Sequence, residues 1–112
     1  MALVAVSCVT INAVDPDALA RFWAALLGGT VRDAGNGFVA VDAATGGLSL
    51  LFQQAEGPSP APGWIHLDCS VADRAAAQRE ICLRGGRTIA HRSDSNAEWI
   101  VMADPEGNPF CI

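Results

Sequence analysis

A repeat of one half of the chain in the other half is the strongest constraint on its fold. Val14-Asp15-Pro16-Asp17-Ala18-Leu19-Ala20 leads into a helical stretch that ends at Leu26-Leu27-Gly28-Gly29-Thr30-Val31. Fifty-seven residues on, Val71-Ala72-Asp73-Arg74-Ala75-Ala76-Ala77 leads into a second helical stretch that ends at Leu83-Arg84-Gly85-Gly86-Arg87-Thr88-Ile89. A period of half the chain means two copies of one supersecondary unit. Such a pair is expected to build its cleft where the halves meet, so the repeat predicts the place of function without naming a ligand.

The 112 residues suffice for one domain with its own core. Half of them are apolar, as in a compact globular chain. Seven basic against twelve acidic residues give a net charge of −5, and no basic cluster relieves it. That field repels a phosphate backbone, which argues against nucleic acid as a partner. The apolar start of the chain has no basic region before it, and Asn12 and Asp15 interrupt it early, so it reads as a first strand rather than a signal peptide. No stretch is long enough to span a membrane. The four cysteines at 8, 69, 82 and 111 form no CxxC pair. Reduced thiols in a cytoplasmic protein are the expectation.

Residues 3–13 are rich in Val, Ile and Thr and predict a strand. Asp15-Pro16-Asp17 is a helix start, with a carboxylate cap and proline in the first turn. Leu19, Phe22, Trp23, Leu26 and Leu27 then recur at helical spacing, so one face packs on a core. Gly28-Gly29 stops the helix, and strands follow near 30–34, 38–43 and 47–54. The proline-rich residues 55–63 form the linker between a module of residues 1–54 and a module of residues 64–112. The second module repeats the order: a strand from Ile65 to Val71, a helix from Asp73 to Arg84, and strands near 87–91, 97–103 and 109–112. The predicted fold is α+β, a single domain of two βαβββ modules whose mixed sheet curls around a cleft.

Alternation assigns faces. Val9, Ile11 and Ala13 share one face of the first strand, and Cys8, Thr10 and Asn12 the other. In the strand after the linker, Ile65, Leu67, Cys69 and Val71 point toward the helix, while His66, Asp68 and Ser70 point away. A one-residue slip would exchange the faces, so the pattern fixes the register. His66 and Asp68 project the same way, about 7 Å apart along the strand. A histidine beside a carboxylate suits metal binding or proton transfer, and equally a plain hydrogen bond to a neighbouring strand.

Cys8, His66 and Cys111 are candidate zinc ligands, although free cysteine is also commonly a small buried hydrophobe. Cys69 and Cys82 read as structural. His91 opens the polar stretch His91-Arg92-Ser93-Asp94-Ser95-Asn96, which predicts a solvated loop. Trp64 and Trp99 lie at or near strand starts as candidate cavity walls. Phe52 and Gln53 end the last strand of the first module on opposite faces, so at most one of them lines a cleft. With Thr10, Asn12 and Trp99 they complete the candidate ligand contacts. GxSxG, phosphate-loop, HExxH and dinucleotide motifs are all missing.

Three stretches carry a family resemblance: Asp15-Pro16 through Leu19-Ala20, Phe22-Trp23 and Leu26-Leu27-Gly28; His66-Leu67-Asp68; and Asp104-Pro105-Glu106-Gly107-Asn108-Pro109-Phe110-Cys111. Together with the order of elements, they make the chain resemble the vicinal oxygen chelate superfamily, which includes glyoxalase I, bleomycin-resistance proteins, fosfomycin-resistance enzymes and extradiol dioxygenases. It is most similar to the small single-domain glyoxalase-like members. The resemblance implies metal ligands on the first and last strand of each half. It puts Cys8 at a position usually held by His, His66 at the second-half histidine, and Cys111 at a position usually held by Glu. The fourth position falls near Leu51 to Gln53. With the carboxylate missing, the hard oxygen-rich site for nickel, manganese or iron is incomplete.

Two readings follow. The leading one is a small-molecule binding protein of glyoxalase/bleomycin-resistance type with no tightly held metal. The other is an enzyme on a small oxygenated substrate that uses His66 and Asp68 for proton transfer, with or without a divalent metal. A homodimer is expected, because each half leaves strands to be paired and relatives commonly join modules from two chains.

Overall fold

Two aspartate-capped helices organise the molecule. The structure, a computed structural model, describes residues 2–56 and 65–112. The chain divides into two compact units, the first up to residue 58 and the second from residue 59.

In the first unit, strand β1 (Cys8–Ala13) is followed by helix α1 (Pro16–Leu27) and strands β2 (Thr30–Gly35), β3 (Phe38–Asp42) and β4 (Ser49–Gln54). The sheet order is β1-β4-β3-β2, with β1 parallel to β4 and the other pairs antiparallel. Asp15 caps α1 by accepting a hydrogen bond from the Ala18 amide at 3.1 Å. Pro16 begins the helix, and Gly28 at φ 60° ends it. Leu19, Ala20, Phe22, Trp23 and Ala24 bury the inner face of α1, and Phe22 meets Trp23 edge to face at 5.6 Å. The sheet answers with Val39, Val41, Leu50 and Phe52. Gly29 is required by close approach, since a Cβ there would collide with the Asp42 carbonyl oxygen.

The second unit has the same plan: β5 (Leu67–Asp68), α2 (Arg74–Leu83), β6 (Arg87–Ser93), β7 (Glu98–Ala103) and β8 (Pro109–Cys111). Its sheet order is β5-β8-β7-β6, again with the first pair parallel. Asp73 caps α2 through the Ala76 amide at 3.0 Å. Ile81 is the one described residue of α2 that is fully buried, and the core continues through Ile100, Met102, Phe110 and Ile112. The turn between β7 and β8 is built on Asp104. Its buried carboxylate accepts from the Glu106 and Asn108 amides and from the Asn108 side chain at 2.9 to 3.1 Å.

Both sheets are thus four-stranded and mixed, and the α+β class and repeated βαβββ order are as the sequence predicts. Three boundaries differ. β1 starts at Cys8 rather than residue 3, and Leu3, Val4 and Val6 are exposed, because its partner β4 begins only at Ser49. β5 has two residues, since β8 offers it only Phe110 and Cys111, and Ile65 lies exposed before it instead of facing the helix. His91 is on strand β6, opposite Ile100, and the loop begins only at Asp94. There the Asp94 carboxylate accepts from the Asn96 and Ala97 amides and makes the turn.

Candidate functional site

The face of the second sheet opposite its buried residues carries the chemistry. Leu67 pairs with Phe110 in the β5–β8 ladder, and Phe110 with Met102 in the β7–β8 ladder. These three share the inner face. The alternate residues Asp68, Cys111 and Val101 are likewise ladder neighbours and share the outer face. His66, two residues before Asp68, projects the same way. Its Nε2 lies 3.2 Å from the Asp68 carboxylate, with both side chains exposed. His66, Asp68 and Cys111 each offer a donor atom, and these atoms lie within 4.8 Å of one another.

The electrostatics centre on Asp68. Burial pushes the Cys111 thiol above its ordinary value, and the Asp68 charge and a hydrogen bond with Asp68 push it further. The Cys69 thiol is also raised, first by burial and then by the charges of Asp68 and Cys111. Its amide donates to the Cys111 carbonyl at 2.8 Å, which extends the pairing of β5 with β8.

Around the cluster the surface is concave, with a cavity of about 750 Å³. Trp99, Val101, Pro109 and Ile112 give it apolar walls, and Arg74 and Arg92 reach its edge. An apolar wall with a few convergent polar groups is the usual make-up of a small-molecule site.

The candidate residues from the sequence separate accordingly. His66, Asp68, Cys111 and Trp99 come together on the second unit. Cys8, Thr10, Asn12 and Gln53 belong to the first unit, with Thr10 and Asn12 exposed on the outer face of β1. Phe52 is a correction. Its ladder partners Ile11 and Val39 place it on the helix side of β4, and it is fully buried, so it offers no surface to a ligand. Trp64 lies outside the described residues. Arg74 and Arg92 did not stand out in the sequence, since nothing local marks an arginine as cavity-lining. All four cysteines are free, and Cys82 is exposed on α2 within 3.8 Å of the Thr88 hydroxyl.

Comparison with known proteins agrees with this architecture. The model of the glyoxalase-like domain matches residues 8–112. The chain belongs to that family. Among solved structures it is similar to a mutant of the fosfomycin resistance protein FosX from Listeria monocytogenes, complexed with Mn(II) and a dihydroxypropylphosphonic acid. That likeness has TM-score 0.77 and 14% identity over 98% of this chain and 89% of the other. A glyoxalase-related enzyme from Fulvimarina pelagi gives TM-score 0.75 and 18% identity over 98% and 87% of the two chains. A bleomycin resistance determinant encoded on the transposon Tn5 gives 0.67 and 19% over 96% and 95%. At these identities the likeness shows the fold. No curated protein matches the chain. No described helix is long and apolar enough to cross a membrane.

Proposed function

We propose that the chain binds a small oxygenated organic molecule on the outer face of its second sheet. The observation that carries this reading is the cavity of about 750 Å³ in which apolar walls converge on His66, Asp68 and Cys111. The ligand's carbon skeleton lies against Trp99 and Val101, where burial of apolar area stabilises it. Its oxygen atoms take hydrogen bonds from His66 and from the guanidinium groups of Arg74 and Arg92. Relatives fit the reading, since one solved neighbour holds a small phosphonic acid and another is a bleomycin resistance determinant.

The test is a fragment screen by protein-observed NMR in the presence of a chelator. Oxygenated fragments are expected to shift the amides of residues 66–69, 99–101 and 109–112, and Trp99→Ala is expected to weaken them about tenfold or more. Shifts confined to the first unit would overturn the reading.

The His66–Asp68 contact favours a second reading, in which the bound molecule also reacts. A carboxylate at Nε2 holds the ring in one orientation and leaves Nδ1 to accept a proton. His66→Gln would then abolish turnover while fragment binding persists.

A divalent ion is the cofactor implied by the superfamily, and one solved neighbour contains Mn(II). This chain's donors fit a divalent ion, because nitrogen, carboxylate oxygen and sulfur lie close together on one face. His66, Asp68 and Cys111 are the residues that would hold it. When bound, it would polarise a ligand oxygen as a Lewis acid.

A further inference from the structure

We propose that the ligand of the second unit is an organic monocarboxylate, held by its charged end in a subsite of Arg74 and Arg92 at the β6–β7 hairpin and by its apolar body in the larger cavity. The proposal rests on the reading of this sheet as the ligand face, and adds the class of the ligand and the direction in which it lies.

Two hollows in the second unit are continuous. Beside the cavity of about 750 Å³ lies one of about 300 Å³, and Arg74, Arg92, Glu98 and Trp99 line both. The smaller one sits where β6 and β7 run into their hairpin, and three elements close on it. Arg74 is the first residue of α2, Arg92 lies opposite Trp99 in the β6–β7 ladder, and His91 comes from the other face of β6, opposite Ile100. Every basic residue of the chain is an arginine, and the net charge is −5. Two guanidinium groups at one hollow therefore run against the overall field. Among the described residues neither has an ion-pair partner, whereas Arg32 and Arg84 are taken by Asp42 and Glu80.

The charges give the ligand a direction. In the smaller hollow two guanidinium groups face one carboxylate, that of Glu98, whereas the larger cavity also holds Asp68 and is balanced. An anionic end is drawn to the hairpin and repelled from Asp68. One positive charge in excess suits a single carboxylate, whose two oxygens take parallel N–H bonds from a planar guanidinium. His91 adds an imidazole N–H donor. The body of the ligand then extends along Trp99 and Val101.

The first unit shows that the hollow alone does not carry this preference. Between the start of α1 and the β2–β3 hairpin it has a hollow of about 440 Å³, with Asp17 and Asp33 and no arginine in its wall. Asp33 lies opposite Val39 as His91 lies opposite Ile100. The repeat keeps a hollow at the corresponding place and reverses the sign of its charge. The hollow of the first unit shares no residue with the larger cavity.

The experiment compares phenylacetate with its neutral isostere phenylacetamide on reduced full-length protein, by NMR of backbone amides and arginine side chains at low salt. The carboxylate is expected to bind about tenfold more tightly and, alone of the two, to shift the Nε–H signals of Arg74 and Arg92. Tenfold higher salt should remove most of that preference and leave phenylacetamide binding unchanged. Arg74→Gln and Arg92→Gln should each cut the preference to about threefold, and the double variant should abolish it. Arg79→Gln, on the same helix but outside both hollows, should leave it at its native value. Trp99→Ala should weaken both probes alike. The substituted arginines are exposed, the amide spectrum confirms that each variant folds, and the native comparison needs no variant. Equal binding of the two probes, or a preference that survives in the folded double variant, overturns the proposal and leaves the small-molecule reading standing. Binding of neither probe also overturns it, and the wider fragment screen then decides the small-molecule reading by itself.

Discussion

The two units share one plan and differ in what fills it. Strand order, parallel first pair, aspartate caps and paired glycines after the helix recur in both. Helix α1 buries Leu19, Phe22 and Trp23, whereas α2 presents Ala75, Ala76 and Ala77 and fully buries only Ile81. Each large side chain fully removed from water is worth about 1.5 to 3 kcal/mol, so the first helix anchors its sheet far more strongly. The second unit instead gathers His66, Asp68 and Cys111. The repeated signals are those of topology, and the divergent positions separate packing from chemistry.

That comparison is most directly broken by truncating the two helix anchors. Trp23→Ala is expected to cost about 3 to 5 kcal/mol and Ile81→Ala about 2 to 3 kcal/mol in urea unfolding. Equal losses would show that the second core is as demanding as the first. The glycines after the helices sharpen it next. A Cβ at Gly29 would collide with the Asp42 carbonyl oxygen, while at Gly86 it would meet the Ile81 side chain at 2.6 Å and the Ala103 and Ile81 carbonyl oxygens less closely, at 3.0 and 3.1 Å. Gly29→Ala should therefore cost about 2 to 3 kcal/mol and Gly86→Ala about 1 to 2 kcal/mol, read from the same unfolding curves. The turn before the last strand is a third point of difference, since the first unit uses Thr45-Gly46-Gly47 where the second uses the Asp104 carboxylate. Asp104→Ala should cost about 2 kcal/mol by leaving buried amides unpaired, with Asp104→Asn intermediate.

The smallest expected effect is an acid one in the first unit. Hydrogen bonds from Arg32, then from Ser49, hold the Asp42 carboxyl below its ordinary value. A carboxyl depressed in the folded state contributes stability that is present above its unfolded value and is lost as pH falls through the folded one. Urea midpoints should therefore fall more steeply in native protein than in Asp42→Asn as the pH drops below about 4. Parallel profiles would remove Asp42 from the acid response.

Local signals made much of the fold readable. Asp15-Pro16 and Asp73 start the helices because a carboxylate satisfies an orphan amide, and Gly28 at φ 60° and Gly85 at φ 105° turn the chain out of them because glycine adopts positive φ without a Cβ penalty. Strand limits depended on partners instead. Leu3, Val4 and Val6 have strand-like chemistry but no ladder, and Ile65 likewise precedes its ladder. The fully buried Phe52 could be placed only through its pairing with Ile11 and Val39. His66 and Asp68 were legible as a pair because alternation is local. That Cys111 meets Asp68 depends on β5 pairing with β8, a contact across more than forty residues that no local pattern encodes.

The brevity of β5 has an evolutionary consequence. Only Leu67 in its two-residue ladder faces the core, so positions 66, 68 and 111 can change identity while the interior keeps its shape. A lineage carrying this scaffold can sample new ligands by single substitutions on the outward face. Those trials leave the burden of folding with the half whose helix buries Leu19, Phe22 and Trp23, so novelty and persistence are inherited on separate parts of the chain.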